Sequence, residues 1–286
     1  MLFRATPASV LRIAITGDLR LHDFPSEALG EARRVAVWLP ARYDRDPNQR
    51  FPVLYLHDGQ NLFDAATAFA GEWEVDETAT RLIRSCQIVP VIVVGMYNAG
   101  DRRIDEYTPT PGRVTPGNSE APLRGGGLDR HARMLVTELK PWIDANYRTR
   151  PEAQHTAIGG SSLGALASLY IGLREPDRFG MVAALSPAVW WDNCTVVTHV
   201  ERLPGQIPVR IWLDVGTAEG AHTLDDARRL RDALVAKGWQ AGRDLAYVEA
   251  QNAGHNEHAW AARVGPMLRF FFAPDVSSPN TIPHRT

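Results

Sequence analysis

A serine flanked by glycines is the clearest chemical signal in this sequence. Residues 160–164 read Gly-Ser-Ser-Leu-Gly, which matches the pattern Gly-x-Ser-x-Gly with Ser162 at its centre. The motif follows a predicted strand, residues 156–160, and opens a predicted helix, residues 163–173. In that context a sharp turn strains the serine backbone and presents the hydroxyl at the helix N-terminus. We therefore predict Ser162 as a nucleophile, and a serine that only caps the helix is the alternative.

The predicted nucleophile needs a general base, and His255 is the best-placed histidine. A serine hydroxyl becomes a nucleophile when a histidine takes its proton and an acid orients that histidine. In serine hydrolases of the α/β class the chain order is serine, then Asp or Glu, then histidine. His255 follows the last predicted strand, in a loop beside Gly254. His258 is a weaker candidate for the base, and because the two histidines lack a convincing third ligand, no metal site is predicted.

The orienting acid should lie just past the preceding strand. Residues 209–215 form that predicted strand, which ends at Gly216. Glu219 stands three residues after this glycine, and we predict it as the acid. Asp214, at the end of the same strand, is the alternative.

Two backbone N–H groups must stabilise the negative oxygen that forms when a serine attacks a carbonyl group. One should come from Leu163, the residue after the nucleophile, and the other from the loop after the third predicted strand. Gly59 permits a tight turn in that loop, so we predict the N–H of Gln60, with Gly59 as the alternative. His57 and Asp58 precede the serine in the chain and are expected to be buried residues that anchor the loop.

Alternating strands and helices must bring these residues together. Short apolar runs that end at turn residues predict strands buried on both faces, and helical patterns lie between them. This alternation predicts an α/β class fold in which a mostly parallel central sheet carries helices on both faces. The predicted strands cover residues 11–17, 33–39, 51–56, 89–96, 156–160, 181–185, 209–215 and 245–248.

The whole chain, residues 1–286, is predicted to form a single domain, because the candidate site residues are far apart in sequence and must share one sheet. Residues 100–127 are dense in Gly, Pro, Arg and Thr, so we predict a loop insertion over the active site. Four side chains are predicted to line a substrate-binding wall: Arg103, Tyr107, Trp190 and Trp191. The alternative is that the tryptophans pack a helix and the arginines are solvated.

Composition excludes several classes of protein. The 286 residues carry 31 basic and 33 acidic side chains, so no broad positive field exists for nucleic acid or an anionic membrane. No run of about 18 apolar residues is present, and no membrane span is expected. Cys86 and Cys194 are too few for a disulfide scaffold and are expected to be buried thiols in a reducing compartment. The prediction is a cytoplasmic protein with no cofactor.

Several segments together resemble the putative esterase (esterase D-like) family. This family includes enterochelin and other siderophore esterases, feruloyl and acetylxylan esterases, and S-formylglutathione hydrolases. The resemblance runs from about Arg33 to Phe271, with Ala165 where a further glycine is usual. The segments that carry it are His57-Asp58-Gly59-Gln60-Asn61-Leu62-Phe63-Asp64, Gly160-Ser161-Ser162-Leu163-Gly164, Leu185-Ser186-Pro187 with Trp190-Trp191, and Gly254-His255-Asn256-Glu257 with Trp260.

The resemblance implies an α/β-hydrolase fold and a serine acyl-enzyme mechanism. Ser162 matches the family's nucleophile and His255 its base, while Glu219 matches the acid position less closely. Some siderophore esterases of the family work with a serine–histidine pair, so the absence of an acid also remains open. The expected function is that of a serine carboxylesterase acting on a small to medium ester. An acyltransferase with the same residues and a non-catalytic binding module are the alternatives.

Overall fold

Strands and helices alternate along most of the chain. A computed structural model describes residues 15–114 and 120–274. The strands of these residues are β1 (Asp18–Ser26), β2 (Glu31–Leu39), β3 (Val53–His57), β4 (Ile92–Met96), β5 (Pro111–Arg113), β6 (Leu123–Gly125), β7 (Thr156–Ser161), β8 (Met181–Leu185), β9 (Arg210–Gly216) and β10 (Leu245–Ala250). The helices are α1 (Val75–Arg84), α2 (Arg103–Tyr107), α3 (Leu128–Arg133), α4 (Lys140–Asn146), α5 (Leu163–Arg174), α6 (Trp191–Glu201), α7 (Ala221–Ala236) and α8 (Glu257–Phe272). A π-helical segment, Met134–Leu139, joins α3 to α4.

Eight of the strands form the central sheet, in the order β1-β2-β4-β3-β7-β8-β9-β10. The pairs β1–β2 and β2–β4 are antiparallel, and the neighbouring strands from β4 to β10 are parallel. Strands β5 and β6 form a separate antiparallel hairpin. The predicted α/β fold with a mostly parallel sheet is therefore confirmed.

The strand sequences bury both faces of this sheet. All five residues of β3 are buried, and successive side chains point to opposite faces. Tyr55 packs into the core on one face, whereas Leu54 and Leu56 pack into the core on the other. Helices α5, α6 and α7 contribute buried side chains to the first core, and α1 and α8 to the second. An apolar run with no polar alternation thus forms a strand covered on both sides.

The parallel strands end at one edge of the sheet, where the candidate residues follow them. Strand β3 ends at His57, β7 at Ser161, β9 at Gly216 and β10 at Ala250. Ligands of open α/β sheets bind at this carboxyl edge. The topology therefore brings four distant loops to one place.

Three expectations need correction. The first strand of the described residues is Asp18–Ser26, so residues 15–17 of the predicted strand 11–17 precede it, and residues 11–14 lie outside the described residues. The segment 100–127 is not a plain loop, because α2 and the β5–β6 hairpin lie within it. Cys86 is exposed and Cys194 partly exposed, so neither is a buried thiol.

Within the described parts of the chain, no helix is both long and apolar enough to cross a membrane.

Candidate active site

Ser162 occupies a sharp turn between strand β7 and helix α5. Its backbone has φ 55° and ψ −120°, which is unfavourable for a residue with a side chain. Gly160 and Gly164 make the turn possible, since a Cβ atom at these positions would lie 3.0 and 2.9 Å from the Cβ of His57. The glycines of the motif are thus required by close packing, and Ser162 itself remains partly exposed.

Ser162, His255 and Glu219 lie in one chain of hydrogen bonds. Nε2 of His255 is 3.0 Å from the Ser162 Oγ, and Nδ1 is 2.7 Å from Oε2 of Glu219. The carboxylate accepts a hydrogen bond from Nδ1–H, which leaves Nε2 of the neutral ring able to accept from the serine hydroxyl. The His255 side chain is 42% exposed, whereas that of Glu219 is buried. This geometry can pass the serine proton to the histidine during an attack on a bound carbonyl group.

Two more donors hold the Glu219 carboxylate in place. The Ser186 hydroxyl donates to Oε1 at 2.5 Å, and the Gly216 N–H donates to the same oxygen at 2.7 Å. Burial raises the pKa of Glu219, but hydrogen bonds from His255, Ser186 and Gly216 outweigh burial and lower this pKa below its ordinary value. The group facing His255 is therefore an ionised carboxylate.

Asp214, the alternative acid, is engaged elsewhere. Its Oδ1 lies 2.9 Å from the Arg263 guanidinium, and its Oδ2 accepts a hydrogen bond from the Trp212 indole at 2.7 Å. The backbone N–H of Ser186 also donates to Oδ1, at 3.1 Å. Burial raises the pKa of Asp214 to about 6 against the opposing effect of Arg263. Of the two candidates, Glu219 is the one in contact with His255.

The side chains that orient Glu219 were not among the predicted site residues. Trp260 Nε1 and Arg263 Nη2 donate to the Ser186 Oγ at 3.0 and 3.1 Å, which directs the serine hydrogen toward Glu219. Ser186 and Trp260 belong to the segments that carry the family resemblance, and this was the available signal. Arg263 lies in the middle of α8, and nothing in its sequence neighbourhood indicates this contact.

The predicted oxyanion loop follows β3 and begins with a short 3₁₀ turn, Gly59–Asn61. Gly59 packs directly on β4, where a Cβ atom would lie 2.5 Å from the carbonyl carbon of Gly95. The N–H groups of Asn61 and Leu62 make the hydrogen bonds of this turn, and the N–H group of Gln60 does not. Leu163 begins α5, so its N–H is among those that a helix does not satisfy internally. The N–H groups of Gln60 and Leu163 therefore lie outside the hydrogen bonds of their own turn and helix.

Arg103 is joined to this loop by a two-pronged ion pair. Its Nε and Nη2 donate to the two carboxylate oxygens of Asp58, each at 2.7 Å, and Asn98 donates to Oδ1 of Asp58 at the same distance. Burial disfavours ionised Asp58, but Arg103 outweighs burial and lowers the pKa of Asp58. The Arg103 side chain remains 25% exposed beside the loop. His57 and Asp58 are buried, as expected for residues that anchor this loop.

Two of the four residues predicted to line the substrate wall are inside the protein. Tyr107 and Trp191 are fully buried, and this corrects the prediction that they contact substrate. The Trp191 indole donates to the carbonyl oxygen of Thr110 at 2.9 Å and lies beneath the β5–β6 hairpin. Trp190 is partly exposed and lines a cavity of about 360 Å³ with Arg113 and other residues of the hairpin.

A group of carboxylates lies outside the chain of hydrogen bonds that contains Ser162. The group consists of Glu72, Asp76 and Glu77, whose carboxylate oxygens lie within 4.8 Å of one another. Among the described residues, no other group of histidine, cysteine or acidic side chains is spaced closely enough to hold a metal ion. Asp76 is fully buried and accepts a hydrogen bond from the Thr16 N–H at 2.7 Å. Acidic groups of this kind are also common without an ion.

Comparison with known proteins gives the family and the fold of this chain. A family model described as "Putative esterase" matches residues 26–271. The uncharacterized protein YbbA of Bacillus subtilis is 27% identical over 242 residues, which cover 82% of this chain and 90% of YbbA. The ferri-bacillibactin esterase BesA of the same organism is 28% identical over 264 residues, 86% of this chain and 87% of BesA. A solved structure of an IroE-like serine hydrolase from Shewanella oneidensis has a TM-score of 0.74 at 21% identity, over 89% of this chain and 80% of that one, and shows the shared fold.

The extent of the family match decides the class of the protein. The matched residues make up most of the chain, and the chain belongs to the "Putative esterase" family. It is accordingly an enzyme of the carboxylic ester hydrolase class with an α/β-hydrolase fold.

Proposed function

We propose that this enzyme cleaves its ester through a covalent acyl-enzyme on Ser162. His255 takes the proton from the Ser162 hydroxyl as the oxygen attacks the ester carbonyl carbon. The new O–C bond makes a tetrahedral intermediate whose negative oxygen accepts hydrogen bonds from the N–H groups of Leu163 and Gln60. The intermediate collapses as the C–O bond to the alcohol breaks, and His255 gives its proton to the leaving oxygen.

The second half of the reaction uses the same residues with water as the nucleophile. His255 removes a proton from water, the hydroxide oxygen attacks the acyl carbon, and the Ser162 oxygen leaves with that proton. Glu219 stabilises the positive charge on His255 in both halves. The observation that supports this mechanism is the unbroken contact from Ser162 Oγ through His255 to Glu219, at 3.0 and 2.7 Å.

The substrate we propose is an uncharged or amphipathic ester of small to medium size. Trp190 and Arg103 are the partly exposed residues of the predicted wall. Trp190 offers an aromatic surface, and the charge of Arg103 is already paired with that of Asp58. Because BesA is named a ferri-bacillibactin esterase, ferri-bacillibactin should be assayed beside feruloyl and short acyl esters.

The test of the mechanism is covalent labelling by a fluorophosphonate combined with ester hydrolysis. Ser162→Ala should lose both labelling and hydrolysis while its circular dichroism spectrum stays unchanged. Ser161→Ala is the matched control, because Ser161 is the neighbouring serine of the motif and is buried. Hydrolysis by folded Ser162→Ala at the wild-type rate would overturn the proposal. Product analysis with an added alcohol would reveal acyl transfer, since the acyl group would then appear on the alcohol.

A further inference from the structure

A buried pair of histidines lies behind the Ser162 turn and takes no part in the proposed reaction. His57 at the end of β3 and His131 in α3 are both fully buried, and their Nε2 atoms are 3.1 Å apart. Two neutral imidazoles share one hydrogen between facing nitrogen atoms, so one ring must donate and the other accept. The remaining contacts of the two rings decide which does so.

The contacts of His57 Nδ1 show that this nitrogen carries the hydrogen. Nδ1 is 3.1 Å from the carbonyl oxygen of Gly159, which can only accept. It is also 3.0 Å from the Ser168 Oγ, whose own hydrogen is donated to the carbonyl oxygen of Gly164 at 2.7 Å. Burial lowers the pKa of His57 to about 4, so the ring is neutral at physiological pH. Its Nε2 therefore has no hydrogen and accepts.

His131 must then be the donor. Burial lowers the pKa of His131 well below its ordinary value, which makes this ring neutral too, with its single hydrogen on Nε2. Glu106 does not compete for the ring, because Oε1 of Glu106 is held by Arg33 at 2.8 Å. Its other oxygen, Oε2, is 3.9 Å from His131 Nδ1, which is beyond hydrogen-bond distance.

His57 contacts the chain on both sides of the turn at Ser162. Its Nδ1–H binds β7 at Gly159 before the turn and reaches the first turn of α5 at Gly164 through Ser168. Its Cβ packs against the two glycines of the motif. In the opposite tautomer, Nδ1 would have no hydrogen to give, and the Gly159 carbonyl would face an acceptor.

We propose that His131 is a positioning residue for the nucleophile. By donating to His57, His131 holds His57 in the tautomer that ties strand β7 to helix α5 on either side of Ser162. This inference rests on the proposed role of Ser162. Loss of His131 should shift Ser162 relative to His255. Small displacements of reacting groups lower kcat more than they change KM.

The test compares two substitutions that differ in one hydrogen-bond donor. His131→Leu removes the donor, whereas His131→Gln keeps an N–H group near the position of Nε2. We expect His131→Leu to lower kcat by about 10- to 100-fold with KM changed less than about threefold. His131→Gln should stay within about threefold of the wild-type kcat. His22→Leu is the control, since it removes a partly buried histidine that bonds the Tyr147 hydroxyl at the edge strand β1, and it should leave kcat unchanged.

A measurement on the wild-type enzyme keeps the proposal testable if His131→Leu does not fold. The ¹⁵N signals of the His57 ring should show a hydrogen on Nδ1 and none on Nε2. A hydrogen on Nε2 alone, a folded His131→Leu with wild-type kcat, or equal losses in His131→Leu and His131→Gln would overturn the inference. These outcomes differ from failure of the proposed mechanism, in which Ser162→Ala would stay active.

Discussion

At the scale of single residues, two carboxylates near the site lie in different surroundings. Glu219 and Asp214 are both buried carboxylates of the β9 region, but Glu219 contacts His255 and Asp214 contacts Arg263. The pKa of Glu219 is lowered by its hydrogen bonds, whereas burial raises the pKa of Asp214 to about 6. Only Glu219 is therefore placed to stabilise a positive charge on the histidine.

Replacing the Glu219 carboxylate by an amide should impair hydrolysis severely. In Glu219→Gln the amide no longer stabilises protonated His255 and can favour the wrong tautomer of the ring. We expect kcat to fall by up to about 10⁴-fold, the loss that follows when the acid of a serine–histidine–acid site becomes an amide. Steady-state kinetics should be compared with Glu249→Gln, which alters a β10 carboxylate paired with Arg228. Equal activities of the two variants would contradict the role of Glu219.

At the scale of elements, the junction of β7 and α5 depends on contact with β3. His57 at the end of β3 packs against Gly160 and Gly164, so the glycine pattern of the motif reflects a tertiary contact as well as a strained turn. The same histidine bonds Gly159 and Ser168. The turn is thus held by its neighbour strand.

Gly164→Ala should weaken both stability and catalysis. Alanine in a helix is ordinarily more favourable than glycine by up to about 1 kcal/mol. Here the added Cβ would lie 2.9 Å from the Cβ of His57, and crowding of this kind typically costs about 1–3 kcal/mol. Urea unfolding and kcat should both show the loss.

The control for crowding is Gly205→Ala, because nothing lies within 4 Å of a Cβ at Gly205. Its stability and kcat should match those of the wild-type enzyme. A Gly164→Ala variant more stable than the wild type would mean that helix propensity outweighs the contact with His57.

At the scale of the whole molecule, we propose that the chain folds as one domain. One sheet runs from β1 to β10, and the hydrogen-bonded residues of the site follow β7, β9 and β10. Each face of the sheet carries a core to which helices from distant parts of the chain contribute. A division between these strands would separate Ser162 from His255.

The stability of the whole molecule should depend on pH through the carboxylate group at the start of α1. Burial, with a contribution from Glu77, raises the pKa of Asp76 to about 7, and burial raises that of Glu72 to about 7 as well. An aspartate in an unfolded chain has a pKa near 3.9. The folded protein therefore retains a proton that the unfolded chain releases, so Asp76 lowers stability progressively from about pH 4 to pH 7 and fully above pH 7.

Asp76→Asn should remove this effect. The amide carbonyl can still accept from the Thr16 N–H, but no charge is buried. We expect the free energy of unfolding to rise by about 1–3 kcal/mol at pH 8, with a smaller gain at pH 5. Asp23→Asn, at an exposed position of β1, should change stability little at either pH. The same gain at both pH values would show that the charge of Asp76 is not its cause.

Much of the fold and the central part of the site could be predicted from the sequence. The apolar runs identify the parallel strands because a strand covered on both faces has no polar alternation. The glycines around Ser162 and the loop position of His255 are local patterns, and local patterns carry information about turns and helix starts. The order of the proposed nucleophile, acid and base along the chain is the order that the α/β-hydrolase fold uses.

The sequence alone determined the α/β class of the fold, the turn at Ser162 and the loops that meet at the sheet edge. The tertiary structure alone decided that Glu219 and not Asp214 contacts His255, that Tyr107 and Trp191 are buried, and that His131 bonds His57. The reason is physical. Backbone turns and strand burial depend on neighbouring residues, whereas a side chain's partner depends on which distant elements pack against it.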